Sequence, residues 1–330
     1  MGNLKTEYMG LKLKNPLIVA SSGITSNIEN LIKAEKNGAA AVVLKSLFQE
    51  QFLEESSRIG AYLDYVQYEE VYDYIRNTVD SMGQEKYFNL IKKAKEEIDI
   101  PIIASINCVS TKGWLEYVDH LEKAGADAIE LNISFLPTEG EITSEKVETK
   151  YLKILKNVKQ NSNIPVGLKI GPYFTAFKNF AEKLSNYGAD GLTLFNRFYQ
   201  FDIDIEKIDL KPGNYLSRSD EISVPLRWVA LLSKEIEADI SATTGIHNGE
   251  DVIKQLLAGA KTVQLCSTLY KNGFSQIKQI KDFVSNWMAT KNFESIEDFR
   301  GKLSRTESEY PHEYERMQYI KILTEEKDMN

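Results

Sequence analysis

Residues 249–268 read GEDVIKQLLAGAKTVQLCST: a helix-patterned segment, the pair Gly259-Ala260, then an apolar run closing in Cys266, Ser267 and Thr268. The same junction recurs at Gly38-Ala39 before AAVVLKS (40–46), Gly125-Ala126 before DAIELNIS (127–134) and Gly188-Ala189 before DGLTLFN (190–196). Glycine accepts the left-handed backbone that closes a helix, so each junction marks a helix stop and a strand start. Each strand is apolar nearly throughout, as expected of a parallel strand covered on both faces. Each then ends in lysine, asparagine, serine or threonine, on the side where a barrel of alternating strands and helices keeps its chemistry.

The alternation extends outward from these four units through the chain. Strands are expected at 16–22, 40–46, 100–107, 128–134, 165–170, 191–196, 239–245 and 262–268. Helices are expected near 28–36, 85–98, 112–123, 144–160, 176–187, 225–237, 249–257 and 275–290. Eight strand–helix units are what a closed α/β fold of the (β/α)8 TIM-barrel type requires. Long insertions follow the second strand (47–83) and the sixth (197–223), on the face where loops surround an active site. Residues 1–304 are expected to form the barrel. Residues 305–330 are expected to form a charged helical extension, with Met317, Ile320 and Leu323 at spaced apolar positions.

A net charge of −8 over 330 residues argues against a nucleic-acid or anionic-membrane surface. No stretch has the apolar length of a membrane span, and no signal-peptide pattern opens the chain, so a cytoplasmic location is expected. The two cysteines, Cys108 and Cys266, suggest no disulfide framework. His120, His247 and His312 have no metal-ligand spacing, so no metal site is expected.

The strand ends carry the candidate chemistry. Lys45 and Lys169 each close a strand, and an ammonium at a barrel mouth holds an anion or stabilises an anionic ring. Asn107, Asn132 and Asn196 close three more; amides that both donate and accept suit a planar heterocycle with imide groups. The seventh and eighth strands run into Thr244-Gly245 and Ser267-Thr268, in the loops where barrels bind phosphate. His247 stands beside that loop, whereas His120 falls within a helix. Together these residues point to a planar, phosphate-bearing cofactor.

The segments NPLIVASSG, VVLKS, DSMGQ, IASIN, IELNIS, PVGLKIGPYF, TLFN, TTGIHNGEDVIKQLLAGAKTVQLCSTLY and FESIEDFRGKL, in this order, resemble the dihydroorotate dehydrogenase family of FMN-dependent barrels, in its cytosolic branch. The resemblance implies oxidation of dihydroorotate to orotate in pyrimidine synthesis, with hydride passing to flavin N5. It implies FMN contacts from Ala20, Ser21, Lys45, Ser46, Asn132, Lys169, Thr244, Gly245, Cys266 and Ser267. Orotate-like contacts are implied for Lys45, Ser81, Met82, Gly83, Asn132 and Asn196. It also implies a homodimer and a soluble electron acceptor, fumarate or a partner protein.

Four positions depart from the family pattern. Phe135 stands where the family carries a Cys or Ser base, and a phenyl ring removes no proton. Ser134, Thr138 and Cys108 are the nearest replacements along the chain, with Ser134 entered beside Lys45 and Lys169 as a catalytic candidate. Asp80 replaces an Asn in the substrate loop, and Thr244 and Cys266 replace phosphate-site glycines. These departures leave two alternatives open: a flavin oxidoreductase acting on another small substrate, and a flavin-binding protein without catalysis.

Overall fold

The computed structural model describes residues 2–48, 84–107, 111–197, 200–213, 215–308 and 311–314. Eight parallel strands close into a barrel: β3 (Leu17–Val19), β4 (Ala41–Val43), β6 (Ile102–Asn107), β7 (Ala128–Asn132), β8 (Val166–Ile170), β9 (Gly191–Leu194), β12 (Asp239–Thr243) and β13 (Thr262–Leu265). Their order is β4-β3-β13-β12-β9-β8-β7-β6, and β6 pairs back with β4 to complete the ring. All four Gly-Ala junctions behave as the sequence requires: Gly38, Gly125, Gly188 and Gly259 have φ of +98°, +96°, +94° and +115°.

Helices cover the outside of the ring: α1 (Ile28–Lys36), α2 (84–97), α3 (Thr111–Ala124), α4 (Ser144–Asn161), α5 (Phe177–Asn186), α6 (Ser223–Leu232), α7 (Gly249–Ala258), α8 (Ser267–Asn272) and α9 (Ser275–Thr290). Outward residues such as Leu168, Leu192 and Leu131 are fully buried against Phe180, Leu155 and Val229 from the helices. Complete burial of each such side chain contributes about 1.5–3 kcal/mol. This layer between sheet and helices is the main core.

A second apolar cluster fills the lower interior of the barrel: Ile18, Ala41, Val43, Ile103 and Ala128 meet Tyr8, Met9 and Leu13. The last three come from an N-terminal hairpin, β1 (Thr6–Tyr8) and β2 (Leu11–Leu13), which the sequence reading does not anticipate. Met9 N–H donates to Asp239 Oδ2 at 2.8 Å, fixing the hairpin across the strand starts. A Cβ at Gly167 or Gly191 would lie 2.8 Å from Met9 side-chain atoms, so these two glycines admit the plug. With that end closed, the opposite mouth is the one left for ligands.

Several boundaries differ from expectation, and most strands are shorter than the sequence suggests, as at Leu17–Val19 and Ala41–Val43. Strand β13 stops at Leu265; Cys266 turns the chain (φ −135°, ψ −78°) and Ser267 and Thr268 open α8. Helix α6 stops at Leu232, where Ser233 Oγ donates to the Ala258 carbonyl at 2.9 Å. The insertion after β9 carries its own antiparallel hairpin, β10 (Phe201–Asp204) with β11 (Asp209–Pro212). The insertion at 47–83 begins with β5 (Leu47–Phe48), paired with β6; its remaining residues, with Asp80, Ser81, Met82 and Gly83, lie outside the described residues. So does 315–330 of the extension. Its start is tied down, Arg305 N–H donating to the Ala230 carbonyl at 2.9 Å and Tyr314 OH to that of Leu303 at 2.9 Å.

Candidate active site

At the open mouth the strand ends form one hydrogen-bonded line. Ser21 Oγ lies 3.1 Å from Ser46 Oγ, which lies 2.7 Å from Ser105 Oγ. Asn132 Nδ2 donates to Ser46 Oγ at 3.0 Å, and Asn196 Nδ2 donates to Asn132 Oδ1 at 2.6 Å. Residues from five separate strand ends are thereby held in register before any ligand arrives. Alternation along each strand explains it: Asn132 sits two residues beyond Glu130, and both face inward.

Lys169 is the register partner of Asn132 on the neighbouring strand and is buried. Its ammonium makes no hydrogen bond or ion pair among the described residues. A buried, unpartnered cation is costly and is a functional-site signal. Lys45 also lies on the rim, one residue from Ser46, but its side chain is exposed. Ala20 is buried, its N–H donating to the Leu265 carbonyl at 2.9 Å.

Beside this line opens a cavity of about 180 Å³ lined by Lys169, Ser21 and Asn196 together with Thr244, Gly245, Cys266 and Ser267. Seven of the sequence-selected residues line this one space. Thr244 and Gly245 both adopt left-handed backbone (φ +75° and +77°), so threonine holds here a conformation usually left to glycine. Thr244 Oγ1 donates to the Phe195 carbonyl at 3.1 Å. Burial pushes the Cys266 thiol up, against the nearby Lys169 charge and a Ser22 contact, which pull it down.

Seven lining residues escaped the sequence reading, Thr243, Gln264 and Ser217 among them. Thr243 and Gln264 face inward on β12 and β13, a position that strand alternation makes legible. Ser217 comes from the insertion after β9 and no sequence pattern marks it. Its backbone N–H donates to Ser267 Oγ at 2.8 Å, and its Oγ accepts from Gly245 N–H at 3.4 Å and meets His247 Nε2 at 3.2 Å. Burial and the neighbouring Lys271 charge lower the His247 pKa.

Phe135 does not join this site. Its ring packs against the core, lines a separate cleft with Tyr151, Tyr173 and Phe174, and lies 4.0 Å under Lys150 Nζ. Ser134 and Thr138 are exposed, and Cys108 lies outside the described residues. His120 is exposed at the surface and stacks on Phe88 at 5.3 Å. Among the described residues no cluster of His, Cys, Asp or Glu suits a metal ion, and no helix is long and apolar enough to cross a membrane.

The donor set fits a flat, phosphorylated heterocycle: an ammonium without a hydrogen bond among the described residues, two linked amides, three hydroxyls, and the left-handed turn at Thr244-Gly245. The profile of the dihydroorotate dehydrogenase family matches residues 3–288. The catalytic subunit of dihydroorotate dehydrogenase B (NAD(+)) from Thermoplasma acidophilum is 28% identical, over 91% of this chain and 99% of its own length. Its Pyrococcus abyssi counterpart is 30% identical over 90% and 98%. An Aeropyrum pernix protein, provisionally named dihydroorotate dehydrogenase A (fumarate), is 30% identical over 68% of this chain and 74% of its own. The chain accordingly belongs to the dihydroorotate dehydrogenase family, FMN-dependent oxidoreductases that act on a CH–CH group.

Proposed function

We propose that this chain binds FMN at the barrel mouth and oxidises a planar, dihydroorotate-like substrate, dehydrogenating its CH–CH group. The observation that carries this reading is the line Ser21–Ser46–Asn132–Asn196 laid beside the unpartnered Lys169. Bound FMN supplies a two-electron hydride acceptor at N5. Lys169 holds the flavin edge where negative charge gathers on reduction, and Ala20, Ser21 and Ser46 support the ring. Thr244, Gly245, Cys266 and Ser267, joined by Ser217, hold the phosphate. Lys45, Asn132 and Asn196 orient the substrate, and the family resemblance adds substrate contacts from Ser81, Met82 and Gly83. With FMN bound, one substrate C–H would be given up as hydride to the cofactor and the neighbouring C–H would lose its proton to water through exposed Ser134, leaving a C=C bond.

The barrel spans 1–304 in this proposal, with 305–330 as its extension. Electrons leave to a soluble acceptor such as fumarate or to a partner protein; the relatives are named for NAD(+) and for fumarate. The protein works as a cytoplasmic homodimer, and the exposed apolar face of Phe201, Ile203 and Leu210 on the β10–β11 hairpin supports association.

Phe135 favours a second reading, a different substrate for the same flavin. The ring sits where the family has its base and is held away by Lys150. Anaerobic titration of the FMN-loaded protein with dihydroorotate separates the two readings. Bleaching of flavin absorbance in the wild type supports dihydroorotate. Bleaching only in Phe135→Cys, or in neither protein, assigns the native site to another CH–CH substrate. Turnover with any donor–acceptor pair, lost in Lys169→Ala, excludes a non-catalytic flavin carrier.

A further inference from the structure

The barrel interior holds one acidic side chain that neither the cofactor contacts nor the N-terminal plug accounts for. Glu130 on β7 is 3% exposed. Its Oε2 accepts from Thr193 Oγ1 at 2.9 Å and from Gln264 Nε2 at 2.9 Å. Gln264 Nε2 also reaches Thr193 Oγ1 at 3.0 Å, and Tyr8 OH lies 3.4 Å from that same hydroxyl. Glu130 Oε1 has no hydrogen-bond partner among the described residues, and neither has Gln264 Oε1. Barrel interiors are ordinarily filled by branched apolar side chains. A carboxylate with one naked oxygen is an expensive substitute unless an opposite charge offsets it.

The register identifies that charge. Glu130 pairs with Gly167 and Asn132 with Lys169, so Lys169 is the next inward-facing residue above the glycine beside Glu130. On its other side Lys169 pairs with Thr193, one of the two groups bonded to the carboxylate. Gln264, the second, lines the same cavity as Lys169. Glu130 and Lys169 form no contact ion pair, so each acts on the other through space, inside a buried interior that screens less than bulk water. Both belong to one polar column running from the plug to the cofactor cavity, the carboxylate with one oxygen unbonded and the ammonium without a hydrogen bond among the described residues.

We propose that Glu130 is a positioning residue, the buried counter-charge to Lys169, which sets how strongly the lysine favours the reduced cofactor. The proposal rests on the FMN reading given above. An anion below the lysine opposes the negative charge that reduction brings to the ring, so the carboxylate holds the flavin potential down.

Midpoint potentials of FMN-loaded wild type, Glu130→Gln and Thr193→Val test this. Glu130→Gln should favour the reduced cofactor about tenfold at a given poise, a rise of about 30 mV for a two-electron couple. Thr193→Val breaks the hydrogen-bond column but keeps the charge, and should stay within twofold of wild type. A Glu130→Gln potential within twofold of wild type overturns the proposal, and so does an equal shift in Thr193→Val. Apo-protein melting of Glu130→Gln, Lys169→Gln and the double variant gives a cofactor-free arm. Counter-charges make the two losses non-additive, the double variant melting above the sum of the singles; additive losses overturn the pairing. If Glu130→Gln alone does not fold, a double variant that folds supports the pairing and one that also fails overturns it. Protein that takes up no FMN defeats the cofactor reading, while the apo arm still decides between pairing and no pairing.

Discussion

Substituting Gly245 by alanine tests whether the cofactor loop is shaped by steric necessity. Gly245 has φ +77°, and a Cβ there would lie 2.2 Å from Ile222 N, 2.7 Å from Ile222 Cα and 2.8 Å from Glu221 C. These are backbone atoms, unable to rotate aside. Their segment is anchored, Arg197 Nε donating to Glu221 Oε2 at 2.7 Å across a half-buried ion pair. Gly273 is the matched control, with φ +74° but nothing within 4 Å of a built Cβ. Gly273→Ala therefore carries only the left-handed backbone cost, about 1–2 kcal/mol. Gly245→Ala adds overpacking of about 1–3 kcal/mol, for a total near 2–5 kcal/mol. With unfolding entropy of roughly 2 cal/mol/K per residue over this chain, those totals lower Tm by about 1–3 °C and about 3–7 °C. Displacement of the Gly245 N–H should also weaken FMN retention at least tenfold in Gly245→Ala and leave it unchanged in Gly273→Ala. Differential scanning calorimetry and flavin fluorescence titration measure both. Equal losses in the two variants would refute the claim that Ile222 dictates a glycine here.

Other outcomes follow from the same geometry. Lys169→Ala should cut turnover by about 10²–10³, the usual loss on removing a group aimed at developing charge; stopped-flow reduction kinetics read it, and a loss under tenfold would deny the lysine that role. His247 has its pKa lowered by burial, so its neutral form favours folding; that contribution is present above the ordinary histidine value and is lost as pH falls through the folded one. NMR titration should find His247 below 6.5, the ordinary value, and melting of His247→Gln should depend less on acid than wild type. Glu235 is depressed mainly by its Lys178 hydrogen bond at 2.7 Å and is paired also with Arg305 at 3.0 Å. Its stabilisation is present above the ordinary carboxylate range and disappears as pH falls through the lowered value. Glu235→Gln should cost at most about 1 kcal/mol at neutral pH and nothing in strong acid, by denaturant titration at each pH.

Much of the site was readable before folding because the relevant patterns are local. A glycine after a helix, an apolar run, and a polar residue at the run's end are adjacent in the chain and mark Asn132 and Asn196, while Lys169 was selected from its place near the end of an apolar run. Strand alternation also marks Gln264 as inward, two residues before Cys266, although its place in the cavity wall went unremarked. Ser217 is different. It lies in an insertion without periodicity, and nothing local says that its hydroxyl meets His247 and Gly245. The N-terminal plug was missed for a related reason: two strands of three residues each are too short for alternation to register.

By itself, then, the order of residues decided the repeating unit, the number of strands and which strand ends bear lysines and amides, since these follow from backbone propensity and side-chain periodicity along neighbouring residues. Only tertiary structure decided which of those groups meet. Closing the ring sets the register that puts Lys169 beside Asn132 and above Glu130, and turns Phe135 away under Lys150. Contacts between residues tens or hundreds of positions apart depend on strand stagger and packing, and no local pattern encodes them.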